Sequence, residues 1–71
     1  MITVGIDLGT QSVKAVLLKD GVVLSCSQAF SGFDPVKAAE HAVAEALKKA
    51  KLTLKDVQLA LVHSSKQWLE P

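Results

Sequence analysis

This 71-residue chain has no arginine and a single cysteine, Cys26. The first absence removes the side chain best suited to bidentate phosphate contacts. Its eight basic residues are all lysines, offset by seven acids to a net charge of +1. No basic stripe forms, so the footprint of a nucleic-acid-binding protein is missing. One cysteine cannot make an internal disulfide, and His41 and His63 are too far apart in sequence to suggest a structural metal. Those are the usual supports of small domains. Such sparing cysteine use fits a reducing compartment. No apolar run approaches the roughly 20 residues needed to span a bilayer, and MITVGIDLG lacks the basic start and apolar core of a secretory signal. The expectation is a soluble cytoplasmic protein with neither nucleic acid nor membrane as a partner.

What is present is enough apolar material to pack. Apolar residues make up 49% and charged residues 21%, which excludes a disordered tail. The length is about half that of an ordinary domain, near the lower edge of independent folding.

Ile2, Val4, Ile6 and Leu8 alternate with Thr3, Gly5 and Asp7, the period of a strand. Gly9-Thr10-Gln11-Ser12 breaks it, and Val13 to Leu18, rich in aliphatic and β-branched residues, reads as a second strand. Asp20-Gly21 predicts a tight hairpin into a third strand, Val22 to Phe30. Asp34 and Pro35 announce a helix, as an N-cap and a first-turn proline. Val36, Ala39, Val43, Ala46, Leu47 and Ala50 predict its buried stripe. On the wetter side, Glu45 and Lys49 stand at a spacing that favours an ion pair. Thr53 to Asp56 reads as a turn, and Val57 to Val62 as a strand apolar enough to be covered on both faces. A helix between two strands of one sheet is a parallel crossover. The predicted fold is α/β: an antiparallel three-strand meander, a crossover helix and a parallel fourth strand. Residues 1–62 form this unit, and residues 63–71 read as an irregular or truncated tail.

The stretch with chemistry is Asp7-Leu8-Gly9-Thr10-Gln11-Ser12-Val13-Lys14. Gly9 would let an anionic ligand approach the backbone closely. Amides around Thr10, Gln11 and Ser12 suit a small anion-binding concavity. The Thr10 and Ser12 hydroxyls add donors, and Lys14 adds a positive charge beside a phosphate. Asp7 suits Mg²⁺ held through its water shell. The plainer alternative is a polar hairpin turn with one acid capping it.

On these residues, GIDLGTQSVKAVLLKDGVV resembles the first phosphate loop of the ATPase superfamily that includes sugar kinases, actin and heat-shock chaperones. The shared pattern is Asp7, Gly9, Thr10 and Lys14. The short third strand followed by FSGFDPVKAAEHAVAEALKKAKLTLKDVQLALV is similar to the ATP-binding subunits of benzoyl-CoA reductase and the activators of 2-hydroxyacyl-CoA dehydratases. The resemblance implies a partial actin-like, ribonuclease-H-like ATPase domain binding Mg-ATP. Asp7 would orient the metal, and Gly9, Thr10, Gln11 and Ser12 would contact the terminal phosphates. It also implies that members of the family are several times longer and bind ATP between two such domains. The second phosphate loop, the adenosine segment, the acid positioning the attacking water and the iron–sulfur cysteines would lie outside residues 1–71. The implied partners are the remainder of the ATPase and the other subunits of a reductase or dehydratase complex. Many relatives follow the fourth strand with a Thr-Gly-x-Gly turn, where this chain reads His63-Ser64-Ser65-Lys66.

The other candidates read as structural. Cys26 is expected as a packed residue, since a cluster needs several thiolates. His41 and His63 have no metal partner at a useful spacing, and Ser64 and Ser65 lack a nucleophile turn and an orienting acid. Two further functions stay open: the front of a small-molecule kinase built on the same loop, and a non-catalytic remnant or assembly partner.

Overall fold

The computed structural model of the chain describes residues 1–32 and 34–64. Strands β1 (Ile2–Leu8), β2 (Ser12–Lys19) and β3 (Val22–Phe30) are followed by helix α1 (Pro35–Ala50), a 3-10 turn (Leu54–Asp56) and strand β4 (Leu59–Ser64). The sheet order is β3-β2-β1-β4. β1, β2 and β3 are antiparallel neighbours, and β4 runs parallel to β1. The meander, crossover helix and parallel fourth strand are all present.

Local chemistry sets each joint. Asp20 and Gly21 both take positive φ, 51° and 86°, as a tight hairpin between right-twisted strands requires. The Asp34 carboxylate accepts the Lys37 N–H at 3.1 Å, and Pro35 fills the first helical position. At the far end Lys51 is left-handed (φ 58°), and the Leu52 N–H reaches back to the Leu47 carbonyl at 2.9 Å. β4 starts two residues later than the apolar run suggests. The Val57 N–H is held by the Leu54 carbonyl (3.1 Å), and Gln58 clamps Ile2 from both sides. The Gln58 N–H donates to the Ile2 carbonyl (2.9 Å) while its side-chain oxygen accepts the Ile2 N–H (2.7 Å). β4 then runs on through His63 and Ser64, into the stretch expected to be irregular. Residues 65–71 of that tail lie outside the described residues.

Val4, Ala15, Leu17, Ala42, Ala46 and Leu47 form the core between the sheet and α1. The buried row of the helix is Ala38, Ala42, Ala46 and Leu47, whereas Val36 is 66% exposed. The helix is therefore turned from the stripe expected on hydrophobicity. Alanines at i, i+4 and i+8 let its backbone come close enough for the Ser25 hydroxyl to donate to the Ala46 carbonyl at 2.7 Å. Larger valines on that row would hold the helix off. The expected Glu45–Lys49 ion pair is not formed among the described residues; Lys49 Nζ donates instead to the Cys26 carbonyl at 3.0 Å. Cys26 is exposed, not packed.

The helix covers β2 and β3 and hardly reaches β1. An apolar cleft of about 590 Å³, lined by Val4, Ile6, Val43 and Ala60 among others, is left beside β4. No described element lies on the opposite face of the sheet. β4 is thus an edge strand with Leu59, Leu61 and Val62 exposed, not a strand covered on both faces.

Candidate functional site

Alternation along β1 and its register with β2 place Asp7 directly across from Lys14. The Gly9 N–H bonds to the Ser12 carbonyl, and ladder bonds alternate, so Asp7 and Lys14 form a hydrogen-bonded cross-strand pair. Their side chains emerge on the uncovered face. Both are exposed, and no ion pair joins them or ties either to another described residue. They line a shallow hollow of about 320 Å³ together with Gly5, Ile6, Val16 and Leu61.

Thr10 and Gln11 form the bend that links β1 to β2. It is closed by the Gly9 N–H donating to the Ser12 carbonyl at 2.9 Å. That bond uses the Gly9 amide within the turn. Gly9 also has a steric reason to lack a side chain, because a Cβ there would stand 2.7 Å from the Ser12 oxygen. The turn itself demands the glycine. The Thr10 and Gln11 amides, in contrast, make no hydrogen bond among the described residues. Thr10 and Gln11 are exposed, and Ser12 is half-buried at the start of β2. The Gln11 carbonyl accepts the Ser31 N–H at 2.9 Å, tying the bend to the end of β3.

Asp7, Thr10, Gln11, Ser12 and Lys14 are therefore gathered at one end of the sheet, with Gly9 as the hinge of the bend. Gly5 and Leu61 were not singled out from sequence. Gly5 shares the alternating face of Asp7, and that period was the signal available for it. A Cβ at Gly5 would come no closer than 4.0 Å to the Val16 oxygen, so its missing side chain deepens the hollow without being needed for packing. Leu61 joins through the β1–β4 register, opposite Gly5.

Among the described residues no group of three or more His, Cys, Asp or Glu side chains is placed to hold a metal ion. The arrangement fits a magnesium ion that keeps most of its water and takes one carboxylate, that of Asp7, with the rest of its shell from a phosphate ligand. A cluster does not fit, since the one cysteine supplies a single thiolate. No described helix is long and apolar enough to cross a membrane.

No protein-family model matches the chain, and no curated protein matches it. Solved structures do. The chain superposes with a TM-score of 0.82 on component A of the (R)-2-hydroxyglutaryl-CoA dehydratase of Acidaminococcus fermentans, at 24% identity over 97% of this chain and 27% of that one. It superposes with a TM-score of 0.80 on the activator of the 2-hydroxyisocaproyl-CoA dehydratase from Clostridium difficile with bound ADPNP, at 22% identity over 100% of this chain and 26% of that one. The chain has the fold of a piece of an actin-like domain, and spans about a quarter of the length of these structures.

Proposed function

We propose that this chain supplies one wall of an adenine-nucleotide site in an ATPase activator of a 2-hydroxyacyl-CoA dehydratase, or in the similar ATP-binding subunit of a benzoyl-CoA reductase. There, ATP hydrolysis would be coupled to electron transfer onto the acyl-CoA enzyme, and a cytoplasmic location belongs to the same reading. The observation that carries it is the Asp7 and Lys14 side chains, in no ion pair among the described residues, side by side next to a bend whose Thr10 and Gln11 amides have no partner among those residues. The ADPNP bound to the Clostridium activator, which shares this fold, supports a nucleotide as the ligand.

In this reading the Thr10 and Gln11 amides and the Thr10 and Ser12 hydroxyls donate to phosphate oxygens, and Lys14 adds a point charge. Asp7 orients a hydrated magnesium ion, which when bound neutralises phosphate charge. Phosphoryl transfer needs charge stabilised from several sides and a positioned nucleophile. Only one side is supplied here, so the 71-residue chain binds Mg-ADPNP weakly, at roughly millimolar Kd (about 4 kcal/mol), and turns over no ATP. The partners are the remainder of the ATPase and the dehydratase or reductase subunits.

The test is a titration with Mg-ADPNP followed by amide shifts. Movement confined to residues 9–12 and Asp7 is expected, with the magnesium dependence lost in Asp7→Asn. Unchanged signals at saturating nucleotide would remove the reading, and ATP turnover by the isolated chain that vanished in Asp7→Asn would overturn its one-sided character.

A further inference from the structure

Strand β3 is nine residues long, Val-Val-Leu-Ser-Cys-Ser-Gln-Ala-Phe, and lies at the edge of the sheet without one charge or proline. Exposed edges are ordinarily blunted by lysine, proline or a bulge. The irregularity in the β2–β3 ladder falls between Leu17 and Leu18, so Ser25 to Phe30 is regular. The Ser31 N–H bonds to the Gln11 carbonyl, which fixes which residues of β3 turn their amides inward. By the alternation of an antiparallel ladder, Ser25, Ser27 and Ala29 bond to β2, while Cys26, Gln28 and Phe30 direct N–H and C=O outward. Lys49 occupies the outward Cys26 carbonyl. The outward groups of Gln28 and Phe30 have no partner among the described residues. Phe30 is 79% exposed.

We infer that this edge pairs with the same edge of a second copy of the chain, antiparallel, about a two-fold axis at Ala29. Gln28 then exchanges both backbone bonds with Phe30 of the second copy, and Phe30 with its Gln28. The outward N–H and C=O of Gln28 and Phe30 are then all used. Lys49 sets the register by keeping the Cys26 carbonyl. A charge-free strand meets its own copy without repulsion. The helices fit as well. α1 lies over the gap between β2 and β3. With strands about 4.8 Å apart, its axis stands about 5 Å from the two-fold and about 10 Å from its mate, at helix-packing distance. The flank of α1 facing that mate borders a groove of about 760 Å³ whose lining includes Lys37 and Lys49 with Asp34 and Glu45, two charges of each sign, so the antiparallel copy meets no net like charge. This pairing rests on β3 alone and holds whether or not a nucleotide binds.

Sedimentation equilibrium of the chain from micromolar to millimolar concentration should show a monomer–dimer equilibrium. Gln28→Pro removes an outward N–H without touching the ladder to β2, and should weaken the dimer at least tenfold with an unchanged circular dichroism spectrum. Should that variant misfold, Gln28→Lys keeps the backbone and sets like charges beside the axis, with the same loss expected and partial recovery in high salt. Amide exchange at Gln28 and Phe30 should slow as concentration rises. A monomer at millimolar concentration would overturn the inference. So would a dimer indifferent to both substitutions whose Gln28 and Phe30 amides exchange freely.

Discussion

At Gly9 two demands meet in one residue. The bend closes only if nothing occupies the space 2.7 Å from the Ser12 oxygen, and the same bend carries the free amides of Thr10 and Gln11. Gly9→Ala should therefore cost about 1–3 kcal/mol of stability through local overpacking, measured by urea denaturation. Nucleotide-induced shifts at Thr10 should be lost as well. Ser31 is the opposite case. It is buried at 6% exposure, and its hydroxyl has no hydrogen-bond partner among the described residues. An unpaired buried hydroxyl costs free energy. Ser31→Ala should hold or raise the denaturation midpoint, and a clear loss would mean the hydroxyl has a partner. Asp20 shows how little an exposed pair needs to titrate oddly. Its hydrogen bond to the Met1 amine (2.7 Å) and then the charge of that amine hold its carboxyl below the ordinary value. A depressed folded pKa adds stability above the unfolded pKa of about 3.9, lost as pH falls through the folded one. The Asp20 carboxyl resonance should titrate low, and return towards normal when the Met1 amine is acetylated.

Among the elements, those bounded by residues with strong backbone preferences were readable in advance. Asp20-Gly21 and Asp34-Pro35 each admit few conformations, and β3 and α1 begin where those residues announce them. The helix rotation was not readable. Hydrophobicity ranks Val36 above Ala38, but closeness to the sheet selects the smaller side chain, and a one-dimensional stripe does not contain that distance. Nor was the helix exit. Lys51 adopts a left-handed conformation usually given to glycine, and its long side chain offered no sign of it. That conformation costs an L-residue roughly 1–2 kcal/mol. Lys51→Gly should recover about 0.5–1 kcal/mol, since glycine loses more chain entropy on folding. Equilibrium denaturation reads this directly, and a loss in place of a gain would show that the lysine contributes to the end of the helix in some other way.

The molecule is a slab of 36 × 23 × 16 Å whose described residues put one helix on one sheet, and its radius of gyration of 12.0 Å exceeds the roughly 11 Å of a compact chain this long. Alternation told which side chains share a face. It could not tell whether anything lies over that face, which is why β4 was read as doubly covered and Asp7 and Lys14 were found beside an open one. The core bears the consequence. Half of its buried members are alanines, and Leu17 and Val13 are the large side chains fully enclosed. A domain of this size has roughly 4–11 kcal/mol of stability in total, at about 0.05–0.15 per residue. Removing a buried leucine side chain costs about 3–5 kcal/mol. Leu17→Ala should therefore take away a large part of what holds the chain together and leave a broad, low thermal transition by circular dichroism. Leu61 is 57% exposed on the uncovered face, and Leu61→Ala should shift stability by no more than about 0.5 kcal/mol. The pair is diagnostic. If both truncations cost the chain alike, something covers the sheet at Leu61 in solution, and the hollow beside Asp7 and Lys14 is not open to a ligand from that side.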